Sequence, residues 1–448
     1  MFRSLAAVVL SPLLAIALPA QEKRPDFDAQ ARASAQRCLE RSGAQGLALA
    51  VRSGGSGTLT LALGSLEPEA GRLQARIDAR ALVEPLVAIA AWQQIERGTW
   101  RASQQMRELA RACGLTESDA TLEQFLAQTA GLASLADAVL ADAAAAALPT
   151  AEFVARAAGL PRRAEPEACV EYSDAHTLAV AVALGAATGD ARAWIGEHVL
   201  ARVGLDADRI AAAAPAARAI GWQRAGGSDY ESYAATALGP LDFRLSIDEL
   251  AQLCDGFTDA DVLAPPTWRR MCAPARERDA QSTSYAHGLT LAPQGEFDGY
   301  LVGGAVGDTR VHAALYPGAQ LAIAIALVGP GAEDGTAAAE CERELARQLL
   351  GLDEPVRVAL PLPAEQRSTY VGFYELGCRT YRIVERGNDL EYVPPRGEPV
   401  LLVHYGEHRF AATDDPGLRI SFTVAEGRPA DELRIDDHGV RTVATRLF

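Results

Sequence analysis

The sequence predicts a mixed α/β domain followed by a small all-β domain. Three observations carry this: strand-like segments open and close the region before residue 361, Ala-rich helical segments fill its middle, and short alternating runs split by turn residues take over after residue 363. At 448 residues the chain is too long for one compact core, and its 49% hydrophobic and 22% charged composition is ordinary for a globular protein.

The first twenty residues read as a secretory signal, with Arg3, an apolar stretch from Leu5 to Leu18 and a small-residue end at Pro19-Ala20 that predicts cleavage after Ala20. The stretch is shorter than the roughly 20 apolar residues that span a bilayer and is broken by Ser11-Pro12. The mature chain is therefore expected to be secreted, in the periplasm or outside the cell. Residues 27–42 have helical apolar spacing (Phe27, Ala31, Ala35, Cys38, Leu39) and stop at Gly43. Two strands in hairpin relation, 46–52 and 58–64, flank the Gly-rich segment 53–57. Residues 79–97 are apolar nearly all round, which predicts a helix buried on most sides and stopped by Gly98. From about residue 100 to 280 the pattern is helical, and strand character returns at 288–291, 301–303, 311–315 and 321–328 before a helix at 337–350. This unit is assigned to residues 21–355, and the linker Pro361-Leu362-Pro363 ends it. Residues 364–448, with runs such as 381–384, 400–404, 420–424 and 432–435, are read as all-β.

The formal charge of −16, or −17 once Arg3 leaves with the signal, repels phosphate backbones and anionic membranes. No nucleic-acid partner and no membrane span after signal removal are expected. Seven cysteines (38, 113, 169, 254, 272, 341, 378) in an exported chain permit disulfides; their spacing fits no zinc site. Cys254 with Cys272 and Cys38 with Cys341 are candidate pairs, and buried free thiols are the alternative. No cofactor and no metal are expected. Lys23 is the chain's only lysine.

The buried helix carries the most specific signal. Ala81-Leu82-Val83-Glu84-Pro85-Leu86-Val87-Ala88 runs without a gap to Ile95-Glu96-Arg97-Gly98. It resembles the segment of serine β-lactamases and DD-peptidases, above all the class C and esterase branch, in which Ser-x-x-Lys-Pro-Phe-Thr-Ala opens a helix ending in Glu-Gly. In that register Ala81 stands at the nucleophile position and Glu84 at the lysine position. Gln128-Thr129-Ala130-Gly131-Leu132 is similar to the family's His-Thr-Ser-Gly-Leu, Tyr172-Ser173-Asp174 to its Tyr-x-Asn, and residues 301–307 to its closing [Lys/His]-x-Gly-Gly-x-x-Gly strand, with Leu301 for the basic residue and Gly303 and Gly304 kept. The resemblance covers roughly residues 27–350. The tail, with Tyr370-Val371-Gly372-Phe373-Tyr374, Leu390, Phe410 and Arg446-Leu447, resembles the lipocalin-like β domain often fused behind such hydrolases.

What the resemblance implies is a cleft for acyl groups with the chemistry removed. A serine attacks a carbonyl only when a neighbouring base takes its proton. A methyl group at 81 cannot attack, and arginine, with a pKa above about 12, cannot replace the lysine as base. The leading reading is a pseudoenzyme that binds a small acyl or peptide ligand, or a protein partner, with Glu84, Tyr172, Asp174, Gly303 and Gly304 as binding residues and Ala81 and Leu301 as remnant positions. A hydrolase of the β-lactamase, D-Ala peptidase or esterase type remains the enzyme alternative, using a displaced nucleophile such as Ser173 or a water between Glu84 and Asp174. An extracytoplasmic scaffold acting through the β domain is the third. For single residues the plainer readings are that Glu84 stabilises its helix N-terminus, that Tyr172 packs as a buried, hydrogen-bonded tyrosine, and that His404 and His408 are surface residues.

Overall fold

The computed structural model describes residues 27–54, 58–67, 77–78, 82–115, 119–142, 144–145, 148–206, 244–277, 283–306, 309–329, 332, 336–352, 358–395, 398–415 and 417–447. The signal-like segment, Lys23, Ala81 and Gly307 lie outside them.

The first unit is built on a six-stranded antiparallel sheet in the order β2-β1-β8-β7-β6-β5. Its strands are β1 (Gly46–Ser53), β2 (Thr58–Gly64), β5 (Thr290–Leu291), β6 (Tyr300–Val306), β7 (Thr309–Tyr316) and β8 (Leu321–Val328); β3 (Ile77–Asp78) and β4 (Arg244–Leu245) form a separate two-stranded pair. Strands from both ends of the unit meet where β1 pairs with β8, from Gly46 against Val328 to Ser53 against Leu321. Both strands alternate small with large residues, and strand geometry sends the two sets to opposite faces. Leu47, Leu49, Val51, Ile323, Ile325 and Leu327 pack against helices α1 (Phe27–Ser42) and α11 (Thr336–Leu350). Ala48, Ala50, Ala322, Ala324 and Ala326 face the helical side. Their methyl groups let helices approach closely, and a register slip of one residue would exchange the two sets.

That helical side holds α2 (Val83–Glu96), α3 (Met106–Leu109), α4 (Leu122–Leu126), α5 (Leu135–Ala141), α6 (Thr150–Ala158), α7 (Asp174–Thr188), α8 (Ala191–Ile195), α9 (Ile247–Gly256) and α10 (Pro265–Met271). The expected helix at 79–97 is α2, with Val83 to Gln94 buried except for Glu84. Two of its buried polar side chains are tied to neighbouring elements: Gln93 Nε2 donates to the carbonyls of His198 at 2.8 Å and Val262 at 3.0 Å, and Trp92 Nε1 donates to His287 Nδ1 at 3.0 Å. Among the described residues no single helix is long and apolar enough to cross a membrane.

Pro363 is the N-cap of a short helix, α12 (Ala364–Tyr370), which leads into the all-β domain that the sequence predicts. Tyr370 turns its ring inward against Phe410 and Phe422, and burying that ring explains why the segment coils before the first strand. Eight strands then close a barrel: β9 (Gly372–Leu376), β10 (Arg379–Arg386), β11 (Asp389–Val393), β12 (Val400–His404), β13 (Arg409–Ala412), β14 (Leu418–Thr423), β15 (Glu432–Asp437) and β16 (Val440–Arg446), with β16 pairing back onto β9. Its interior is filled by Tyr370, Tyr374, Phe410, Phe422 and aliphatic side chains. Arg446 closes one end, donating to Tyr374 Oη at 3.1 Å and to the carbonyls of Val371, Thr369 and Ala430. His404 and His408 are partly buried rather than surface residues: His404 packs on Phe410, and His408 Nδ1 shares a 2.9 Å hydrogen bond with Tyr370 Oη.

A disulfide joins the two units, Cys169 to Cys378. Neither pair expected from the sequence is bonded: Cys254 and Cys272 are separate buried thiols, while Cys38 and Cys341 do meet between α1 and α11 but as thiols. Sequence spacing had no bearing on a bond between two domains and 209 positions apart. Around it, Arg379 donates to the Val170 carbonyl and the Val170 N–H donates to Glu277 Oε1 at 2.9 Å.

Candidate functional site

The N-terminus of α2 lies where three segments converge: the Gln128–Leu132 loop, the start of α7, and the loop from Tyr285 to Gly288. Leu82, the N-cap, offers no side-chain cap, and Glu84 sits in the first turn. Glu84 thus stands at the helix N-terminus, where the plainer reading of the sequence puts it. Its Oε1 accepts from Gln128 Nε2 at 2.6 Å and from Tyr285 Oη at 3.1 Å.

The direction of each of these bonds is fixed by the next. His176, fully buried on α7, accepts the Leu132 N–H at Nε2 (3.1 Å), so its proton is on Nδ1. Burial pushes this imidazole down to about 3, which keeps it neutral. Nδ1 donates to Gln128 Oε1 at 2.6 Å, and the Ser173 N–H donates to the same oxygen at 2.9 Å. The amide of Gln128 is thereby oriented, with its NH2 toward Glu84 and Thr177. On the other side the Gly288 N–H donates to Tyr285 Oη at 3.1 Å, which turns the phenol proton toward Glu84.

Two backbone positions hold this arrangement. Gln128 has φ of 57°, a left-handed conformation uncommon for a side-chain-bearing residue. Gly131 has φ of 72°, and a Cβ there would stand 1.9 Å from the Ala164 carbonyl oxygen.

The Glu84 carboxyl is pushed well above the usual carboxylate range, to about 7. Burial is the main cause; the donors Tyr285 and Gln128 partly offset it, and the negative charge of Asp174 raises it further. Asp174 opens α7, and its Oδ1 accepts the Leu135 N–H at 2.9 Å. The two carboxyl groups proposed from sequence are thus electrostatic neighbours. Tyr172 is 59% exposed, contrary to the packed tyrosine expected, and its phenol is near enough to Tyr285 to oppose that group's ionisation.

Other expected residues fall elsewhere. Ser173 is fully buried and its hydroxyl donates to the Ala133 carbonyl at 3.0 Å. Leu301 turns to the sheet face packed by α1 and α11, away from the helical side. Gly303 and Gly304 lie on β6, whose outer neighbour β5 pairs only with Tyr300 and Leu301, leaving the stretch beyond as a strand edge. Gly303 has φ of 154°, and a Cβ there would stand 2.2 Å from the Val311 carbonyl oxygen, so close packing within the sheet accounts for this glycine. A backbone connection links this strand to the Glu84 cluster through the bridge of Tyr285 to Thr290 and the pairing of Thr290 with Leu301. Tyr285 and His176 were missed by sequence reasoning: neither falls at a recognised motif position, although His176 follows Tyr172-Ser173-Asp174 by two residues. A separate open cavity of about 540 Å³ lies near Arg52, Asp255 and Gln320 and includes none of these residues.

A family model described as Beta-lactamase matches residues 31–347. The chain belongs to that family. Several solved structures are similar to this β-lactamase-family chain. The structure of SurE with D-Leu is 18% identical with a TM-score of 0.54 and covers 94% of this chain and 100% of its own. The octameric penicillin-binding protein homologue from Pyrococcus abyssi is 14% identical with a TM-score of 0.60, over 93% of this chain and 99% of its own. The D-amino acid amidase from Ochrobactrum anthropi SV3 complexed with D-phenylalanine is 13% identical with a TM-score of 0.57, over 73% and 98% respectively. At these identities the likeness is one of fold. No curated protein matches the sequence.

Proposed function

We propose that this β-lactamase-family protein is an exported, non-catalytic member that binds an acyl or peptide ligand above Glu84. The observation that carries the reading is the carboxyl at the family's lysine position, wired by Gln128 and Tyr285 as a hydrogen-bond acceptor. Acylation needs a nucleophile and a base. Ala81, at the nucleophile position, has no hydroxyl, and Lys23, the single lysine, precedes the whole matched region. The Ser173 hydroxyl is committed to a backbone carbonyl. The names of the neighbours, which include a penicillin-binding protein homologue and structures holding D-leucine and D-phenylalanine, favour D-amino-acid-containing peptides as the ligand class. Export is supported by the Cys169–Cys378 disulfide, since such bonds persist in oxidising compartments.

The test is intact mass of the mature protein after exposure to a fluorophosphonate probe, with an active hydrolase of the family as control. The proposal expects no adduct and a thermal shift with D-amino-acid peptides. A stoichiometric adduct overturns it, and the labelled peptide would name the nucleophile.

One observation favours a second reading. A carboxyl that titrates near 7 beside the charged Asp174 is poised to take a proton from water. In that case hydrolysis of an activated ester would rise with pH through about 7 and vanish in Glu84→Gln, without any covalent adduct.

A further inference from the structure

We propose that His438, Asp415 and Glu340 form a divalent transition-metal site, of the Zn²⁺ class, that clamps the barrel to helix α11. The three come from separate places: Glu340 from the outer side of α11, Asp415 from the turn between β13 and β14, and His438 from the turn between β15 and β16. One ligating atom from each lies within 4.8 Å of the others.

The histidine supplies the deciding geometry. It is 7% exposed, its Nδ1 sits 2.7 Å from Asp437 Oδ1, and its Nε2 is buried against the Asp415 carboxylate. A carboxylate on Nδ1 orients the ring as it does in metal-ligating histidines, and an ion bound at Nε2 would take the place of the proton this nitrogen otherwise shares with Asp415. Nε2 faces Asp415 Oδ1 at 3.1 Å and Glu340 Oε1 at 3.9 Å. Donors about 2 Å from one Zn²⁺ ion stand roughly 3–3.5 Å apart, so Asp415 and His438 already have that spacing and Glu340 needs only a small inward movement.

The surroundings hold the donors in place. Asp415 Oδ1 is fixed by the N–H groups of Gly417 at 3.0 Å and Leu418 at 3.3 Å. Gly417 leaves room for the imidazole, since a Cβ there would come within 2.3 Å of Nε2. Asp436, next in the hairpin, accepts the Gly439 N–H at 2.8 Å and meets Arg343 of α11 at 3.4 Å, which seats the turn on the helix. Arg41 pairs with the other Glu340 oxygen, leaving Oε1 for the ion. Glu340 and Asp415 keep 20% and 28% of their side-chain surface accessible, an entry route to the buried nitrogen. One imidazole and two carboxylates suit Zn²⁺ or Mn²⁺ better than Ca²⁺, which takes oxygen donors.

The experiment is calorimetric titration of the full mature chain with ZnCl2 in a non-coordinating buffer, after removal of any affinity tag, together with a melting curve. One equivalent should bind, raise the melting temperature and be reversed by EDTA. His438→Gln should lose that equivalent, and Glu340→Gln, a milder change on the accessible side of α11, should weaken it about tenfold or more. No uptake by the unmodified chain overturns the proposal. So does uptake unchanged in both variants, which would place the ion elsewhere, for instance at the buried thiols of Cys38 and Cys341.

Discussion

Glu84→Gln tests the central electrostatic claim without assuming any ligand. The glutamine keeps the shape of the side chain, and its Oε1 can accept the same two donors, Gln128 Nε2 and Tyr285 Oη. What it removes is titration. With the folded carboxyl at about 7 and an ordinary value of 4.5, the unfolded chain releases its proton first as pH rises. Stability conferred by the neutral carboxyl is therefore fully present below 4.5 and is lost progressively up to about 7, then changes no further. At 1.36 kcal/mol per pH unit of difference, the loss is about 3 kcal/mol, most of which falls between pH 5 and pH 8. Urea unfolding of the wild type and Glu84→Gln at those two pH values should show the variant gaining roughly 2–3 kcal/mol relative to wild type at the higher pH. Taking the difference between pH values cancels any fixed packing cost of the substitution. A relative stability that stays constant across the range would mean that Glu84 titrates like an exposed glutamate, and the account of the site would fail.

Gln128→Leu should be worse than a simple loss of one contact, because it leaves the Ser173 N–H and the His176 Nδ1–H without their acceptor; a cost of about 2–4 kcal/mol is expected, with the Glu84 transition moved to higher pH. Equal stability of Gln128→Leu and wild type in urea unfolding would count against the fixed direction of these bonds. Gly131→Ala puts a methyl group against the Ala164 carbonyl at a left-handed position and should cost more than about 2 kcal/mol, read as a clear fall in melting temperature. Alkylation under denaturing, non-reducing conditions should label five thiols and leave a single linked peptide containing Cys169 and Cys378. By chain entropy alone, closing a loop of 209 residues contributes up to about 5 kcal/mol, so reductant should lower the melting temperature; labelling of all seven thiols would refute the bond.

The parts of this molecule legible in its sequence are those fixed by local pattern. A Gly-rich turn between two apolar runs located β1, strand-like composition located β8, and an all-round apolar run located α2, because each of these signals is local. Glu84 was found because Pro85 and Gly98 fix a register along one helix. The rest depended on where distant segments meet. Tyr285 reaches Glu84 across 201 positions and Cys378 reaches Cys169 across 209, and no local spacing encodes either encounter. Asp415 and His438 come from different turns of the barrel, and Glu340 from another domain. The reading of Tyr172 as a packed residue failed for a related reason: a tyrosine's burial depends on which neighbours cover it, and at this edge its ring is left open.

The polarity of the cluster bears on whether the site is merely decayed. From the Leu132 N–H through His176 and Gln128, every donor points in one direction, and the chain ends on Glu84 Oε1, while a second run from the Gly288 N–H through Tyr285 ends on the same atom. An ammonium group at position 84, which only donates, would face the NH2 of Gln128, whose orientation His176 and Ser173 hold. The residues around position 84 are therefore matched to an acceptor. A lysine position emptied by chance would leave such donors unpaired, at about 1–3 kcal/mol for each buried group. Here each has a partner, as the proposed binding role with a carboxyl at the centre requires.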